Sequence, residues 1–171
     1  MDPPVAARSA LVAEAETDRL ASAGDRRVAL RMARLYGPGW ASAELADLAL
    51  ARRAVVVCHG SNYVPSLQVE DAGTAVAAAL TVPSGIYKVG HDAPVTALQW
   101  TGSLAAGLDA PPPRRLPGWV ARRLLGGMAD LLAVSQRVCN QAFRQAASRE
   151  PRYRSVEAGW PTVVTEDRRS A

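Results

Sequence analysis

Arg31-Met-Ala-Arg-Leu-Tyr36-Gly37-Pro38-Gly39 is the stretch on which the fold turns. It ends an apolar run, Val28 to Leu35, and breaks it with Gly and Pro. Such a run reads as a strand, and the breakers read as an abrupt turn. Ala43 to Arg53 follows as a helix, with Leu45, Leu48 and Leu50 for a buried side. Upstream, Ala7 to Ala23 reads as a helix. It is acidic early (Glu14, Glu16, Asp18) and closed by Gly24, a good residue after a helix end.

Downstream, Ala54 to Cys58 is a short β-branched run and Tyr63 to Val69 a second extended segment. Glu70 and Asp71 sit where the next helix, Ala72 to Leu80, begins, and acids there face the positive end of the helix dipole. Gly85 to Val89 reads as a strand. Thr96 is a fitting N-cap for a helix reaching about Gly107. Pro111-Pro112-Pro113 is a stiff connector. Pro117-Gly-Trp119 opens a helix that Gly126-Gly127 interrupts, and Ser135 to Ala147 reads as the last helix. The expected class is α/β: a partial Rossmann-like element of helix plus strand, a small α/β region after it, and a helix-rich C-terminus. Residues 1–160 are expected to form one domain, and 161–171 a flexible polar tail.

The 171 residues are 49% hydrophobic but only 5% aromatic, so the core must rest on Ala, Val and Leu. The net charge is +4, and Lys88 is the single lysine among 20 basic residues. The arginines come as scattered pairs such as Arg26-Arg27 and Arg122-Arg123. A nucleic-acid surface gathers them on one face with aromatics between, so no nucleic-acid partner is expected. Asp2-Pro3-Pro4 and the early acids are unlike a secretory leader, and no apolar run reaches membrane-spanning length. Cys58 and Cys139 suggest free thiols in a reducing compartment. The cytoplasm is the expected location.

Gly37-Pro-Gly39-Trp-Ala-Ser42 stands between strand and helix, where a dinucleotide-binding G-x-G-x-x-G belongs. Ser42 replaces the third glycine, and Pro38 offers no N–H to a phosphate. The next strand ends in Val57-Cys58-His59-Gly60, with no acid for a ribose. A turn is the better reading. Cys58-His59 and His91-Asp92 lack the spacing of metal ligands. Gly60-Ser61-Asn62-Tyr63 lacks the G-x-S-x-G of a nucleophile elbow.

Four blocks, in one order, resemble the second half of the NAD-dependent epimerases and dehydratases, the extended short-chain dehydrogenases. Gly24 with Val28-Ala-Leu-Arg31 and Tyr36-Gly37-Pro38 is similar to the family's "R-x-x-x-x-Y-G-P" block. Val69-Glu70-Asp71-Ala72 with Ala75 and Ala79-Leu80 resembles "hVdDvA.A…aL". Gly85-Ile-Tyr87-Lys-Val-Gly90 and Pro94-Val95-Thr96 resemble "G.YnVg…pvt". Ser135-Gln-Arg137, Asn140, Phe143 and Gly159-Trp160 resemble a C-terminal block of some bacterial members. Gln68 stands where the family has His, and Arg34 where it often has Asn.

The resemblance implies a sugar-nucleotide epimerase or oxidoreductase by ancestry, using NAD or NADP, and a sugar-nucleotide-like ligand. It implies that Arg34, Tyr36, Tyr63 and Gln68 face the substrate cleft. It places the family's catalytic Tyr and Lys at Ala6 and Ala10 if Glu14 is the usual helix Glu. No Tyr precedes Tyr36, and Ser84 stands four places before Lys88. The sequence therefore reads as a truncated family member, a substrate-binding domain with no catalytic residue and no cofactor site of its own. No cofactor is expected for this chain alone. A homo-oligomer or a companion Rossmann half is the expected partner. The alternative reading is a non-catalytic small-molecule-binding or interaction protein that has reused the fold.

Overall fold

The computed structural model describes residues 12–16, 19 and 26–170. Most of the expected helix 7–23, and both Ala6 and Ala10, lie outside them. The first strand, β1, is Val28–Met32, and β2 is Arg34–Tyr36. They are one extended stretch that changes partner. β1 lies parallel to β6, Gly85–Val89, with Arg31 opposite Lys88. β2 lies parallel to β5, Ser66–Gln68. The switch is at Ala33: its N–H goes to the Val89 carbonyl, and the Arg34 N–H goes to Pro65. The expected single strand 28–36 is thus a hinge between two ladders.

The helix after the turn, α1, runs Trp40–Leu50, three residues earlier than expected at each end. Gly39 sets its start, with φ 114° and ψ −173°. That region is all but closed to side-chain-bearing residues. A Cβ there would meet nothing within 4 Å. Gly39→Val should therefore cost about 1–3 kcal/mol through backbone strain alone, read as a drop in the urea midpoint at unchanged slope.

β3, Val55–Val57, pairs in parallel with β8, Arg114–Leu116. β4, Tyr63–Val64, pairs antiparallel with β7, Val95–Thr96. The second helix, α2, is Val69–Ala79, and the Gln68 side chain accepts from the Glu70 N–H at its start. The third, α3, is Ala97–Gly107 and opens with a reciprocal cap. The Gln99 N–H donates to Thr96 Oγ1 at 3.3 Å, and the Thr96 N–H donates to Gln99 Oε1 at 2.9 Å. α4, Gly118–Leu125, and α5, Gly127–Ala133, are split at Gly126, whose φ of 55° stops the first helix.

Two expectations about the C-terminus are corrected. The expected helix 135–147 is α-helical only over Gln141–Ala147, α6. Residues 135–140 form neither helix nor strand: Ser135 Oγ accepts from the Tyr63 N–H and the Gln136 N–H donates to the Tyr63 carbonyl. The last helix, α7, is Val156–Ser170, so the polar stretch expected as a tail is helical through Ser170.

The chain has two main cores. In one, α1, α3 and α7 bring Ala46, Ala49, Leu104, Trp100 and Trp160 around Tyr36. In the other, Leu67, Ala75, Val82, Val89 and Phe143 pack under β1 and β6. Small alanines let the helices approach closely, which is how a core poor in aromatics reaches normal density. Val28 and Leu30 of β1 pack against this second core. Val12 is 61% exposed, and Leu11 and Leu20 lie outside the described residues. No described helix is long and apolar enough to cross a membrane.

Candidate functional site

The partner switch at Ala33 opens a cleft of about 770 Å³. One wall is Arg31 to Arg34, with Lys88 beside Arg31 on the neighbouring strand. A second is Asn62 to Pro65, and the third is α5 with the stretch 134–138 that follows it. The Asn62 amide ties these walls together by donating to the carbonyls of Leu132 and Val134. Among the described residues, the cleft is lined by four cations, Arg31, Arg34, Lys88 and Arg137, and by no Asp or Glu.

These cations differ in what holds them. Arg31 is engaged by Glu14 through two hydrogen bonds of 2.7 Å. That contact lowers the Glu14 carboxyl below its usual range. Arg137 lies over the Tyr63 ring, 3.7 Å from guanidinium carbon to centroid. Arg34 lies 4.8 Å from the Trp100 centroid, and burial lowers its pKa. Neither aromatic contact neutralises charge, so Arg34, Lys88 and Arg137 leave the cleft strongly positive. A ligand carrying phosphate or carboxylate is the chemistry that answers such a surface.

The four residues marked by the resemblance divide into two pairs. Arg34 and Tyr63 line the cleft. Tyr36 and Gln68 are core residues, 2% and 0% exposed, so neither meets a cleft ligand directly. Gln68 caps α2, and its Nε2 donates to Thr162 Oγ1 at 3.2 Å. Tyr36 packs on His91, Trp100 and Trp160. Its hydroxyl lies 3.2 Å from His91 Nε2, and burial pushes its pKa well above the usual value. Lys88 and Arg137 were not singled out as site residues. Lys88 is conspicuous as the single lysine, and Arg137 stood in the quoted Ser135-Gln-Arg137 block; only the tertiary fold brings them to one cleft.

Gly37-Pro38-Gly39 is a structural turn. The Gly37 N–H donates to Ser42 Oγ at 3.1 Å, Pro38 has none, and the Val69 side chain fills the place a Gly37 Cβ would take. Gly37 and Pro38 therefore offer no free amide to a phosphate. Among the described residues no group of three or more His, Cys, Asp or Glu is placed to hold a metal. Cys58 and Cys139 are free and exposed.

His91, 6% exposed, is pulled down to about 4 by burial. Folding therefore holds it neutral, while the unfolded chain takes up a proton below the ordinary value of 6.5. Its contribution is complete above that value and is lost as pH falls towards about 4. The shift sets an upper range of about 3 kcal/mol. Stability measured by urea melts should fall over that window, and His91→Gln should flatten the fall. An equally steep decline in the variant would assign it to other groups.

No family model matches the chain. The curated 3-diazoavenalumate denitrifying reductase of a Streptomyces species is 37% identical over 153 residues, covering 86% of this chain and 50% of the relative. A human epimerase family protein, solved with NADPH, superposes with a TM-score of 0.74 at 17% identity, covering 82% of this chain and 48% of that one. UDP-glucose 4-epimerase of Thermus thermophilus, solved with NAD, gives 0.68 at 22% identity, covering 88% and 49%. UDP-glucose 4-epimerase of Thermotoga maritima, solved with UDP-glucose, gives 0.67 at 19% identity, covering 86% and 47%. The chain spans about half the length of the relatives it matches.

Proposed function

We propose that this chain, which has the fold of NAD-dependent epimerases and dehydratases, the extended short-chain dehydrogenases, over about half their length, supplies the substrate-binding half of such a site. The observation that carries the reading is the cleft at the Ala33 switch, lined among the described residues by four cations and no acid. Lys88 and Arg137 are proposed to meet the diphosphate of a sugar nucleotide. Arg34 and Tyr63 are proposed to position the group attached to it. The solved relatives carry NAD, NADPH or UDP-glucose, and the curated relative is a reductase.

The nicotinamide cofactor of this family accepts or donates hydride. These 171 residues contain neither the glycine-rich loop that would hold it nor a Tyr four places before a Lys. Both would have to come from outside these residues, on further chain of the same polypeptide or on a companion chain. The proposed role of this chain is therefore to bind and orient substrate rather than to move the proton. The same cleft would serve a non-catalytic ligand-binding protein, and the missing Tyr/Lys pair is what favours that second reading. Two copies of this chain, or this chain with a Rossmann half, are the proposed assemblies, and the cytoplasm the proposed location.

Calorimetric titration with UDP-glucose tests the cleft. Binding should weaken by roughly 10- to 100-fold when Lys88→Gln and Arg137→Gln are combined, as expected for two charge-assisted contacts. It should also weaken as salt rises. Absence of binding by the wild-type chain, or a double variant that binds as well, would remove the sugar-nucleotide reading.

A further inference from the structure

A second cavity, of about 230 Å³, adjoins the cleft and has opposite character. Leu45 and Leu48 of α1, Val55 of β3, Leu104 of α3 and Leu125 of α4 form its walls. Leu48, Val55 and Leu125 are 39%, 42% and 38% exposed, so this pit presents apolar surface that no other part of the described chain covers. Its polar fittings are all capable of donating. Arg34 and Arg53 line it, Thr101 adds a hydroxyl, and among the described residues no Asp or Glu lines it. Trp100, 3% exposed, also lines it, and its indole N–H has no hydrogen-bond partner.

We infer that the pit binds a small aryl carboxylate, its ring among the leucines and valines and its carboxylate on Arg34 and Arg53. Size sets the ring: a dry apolar cavity of about 150 Å³ holds one benzene. The pit of about 230 Å³ holds a ring with a short substituent. Polarity sets the rest. A nucleobase would bring several edge donors and acceptors into walls that are mostly aliphatic, and each left unpaired would be penalised. An aryl acid brings acceptors at one end only, where the donors stand. Planar guanidinium suits carboxylate, which it can grip through two parallel bonds. The pit shares Arg34 with the cleft but lies outside the proposed diphosphate contacts at Lys88 and Arg137, so titrating each ligand separately distinguishes it from the sugar-nucleotide reading.

The probe is trans-cinnamate, with cinnamyl alcohol as its uncharged counterpart, each titrated into the full chain and followed by calorimetry and by the indole N–H resonances. Cinnamate should bind at least about tenfold more tightly than the alcohol. The Trp100 indole N–H signal, assigned through Trp100→Phe, should move with cinnamate. Val55→Trp, which narrows the pit, and Arg34→Gln, which removes a donor, should each weaken cinnamate by about tenfold or more. Circular dichroism of both variants establishes that they are folded. No cinnamate binding, equal binding of the alcohol, or unchanged binding by folded Val55→Trp would overturn the assignment. UDP-glucose binding without cinnamate binding would sink the pit and leave the cleft; cinnamate binding without UDP-glucose binding would do the reverse.

Discussion

Asp71→Ala should lower stability by about 3–5 kcal/mol, the range for removing one partner of a buried ion pair. Asp71 is 1% exposed, at the start of α2. Its Oδ1 accepts from the Arg152 N–H at 2.8 Å and from the Arg149 guanidinium at 2.9 Å. Its Oδ2 accepts from the Tyr153 N–H at 2.8 Å. One carboxylate thus fixes the link between α6 and α7 to the second helix. Alanine would leave two backbone donors and a cation, its side chain 19% exposed, without their partner. Asp71→Asn keeps an acceptor oxygen and should cost clearly less. Urea melts of the two variants decide it; an alanine variant within about 1 kcal/mol of wild type, the scale of an ordinary exposed pair, would mean that water replaces the carboxylate at little cost.

How far Asp71 could be read beforehand illustrates the reach of local sequence. Glu70 and Asp71 were placed at a helix start for their fit to the dipole, and the helix is there. The longer-range role of Asp71, holding residues some eighty positions away, has no local signature. The same division runs through the fold. The Thr96 cap depends on neighbours in sequence and was legible, and Gly85–Val89 was legible from its composition although its ladder partner is the distant β1. β8 was not: Arg114-Arg115-Leu116 has little β propensity, and it is a strand because β3 supplies its ladder. Ser135 to Asn140 looks helical in sequence, yet Ser135 and Gln136 bond to the Tyr63 backbone and the stretch is not helical. At the site, Arg34 and Tyr63 came from the family resemblance. The positive cleft came only from the change of partner at Ala33, which sets Lys88 beside Arg31 and faces both with Arg137.

Trp160→Ala should be comparably severe, again about 3–5 kcal/mol, the usual cost of emptying a large aromatic site. Trp160 is 1% exposed and is the largest of the fully buried side chains. Its ring lies 4.7 Å from Tyr36 and 4.8 Å from Trp100, and its indole N–H donates to the Trp100 carbonyl at 3.1 Å. It therefore joins β2, α3 and α7 at one point. Gly159 makes the approach possible, since a Cβ there would overlap the Tyr36 hydroxyl. Alanine at 160 would leave a void bounded by Tyr36 and Trp100, which cannot collapse while Tyr36 stays bonded to His91. Because Trp100 also lines the apolar pit, the same change should loosen that wall. Trp160→Phe keeps most of the volume and loses the N–H, so it should cost about 1–3 kcal/mol, the hydrogen bond and part of the packing. If alanine and phenylalanine at this position prove equally mild, the three-ring cluster is not what ties α7 to the rest of the chain, and the leading part would pass to the Gln68–Thr162 contact.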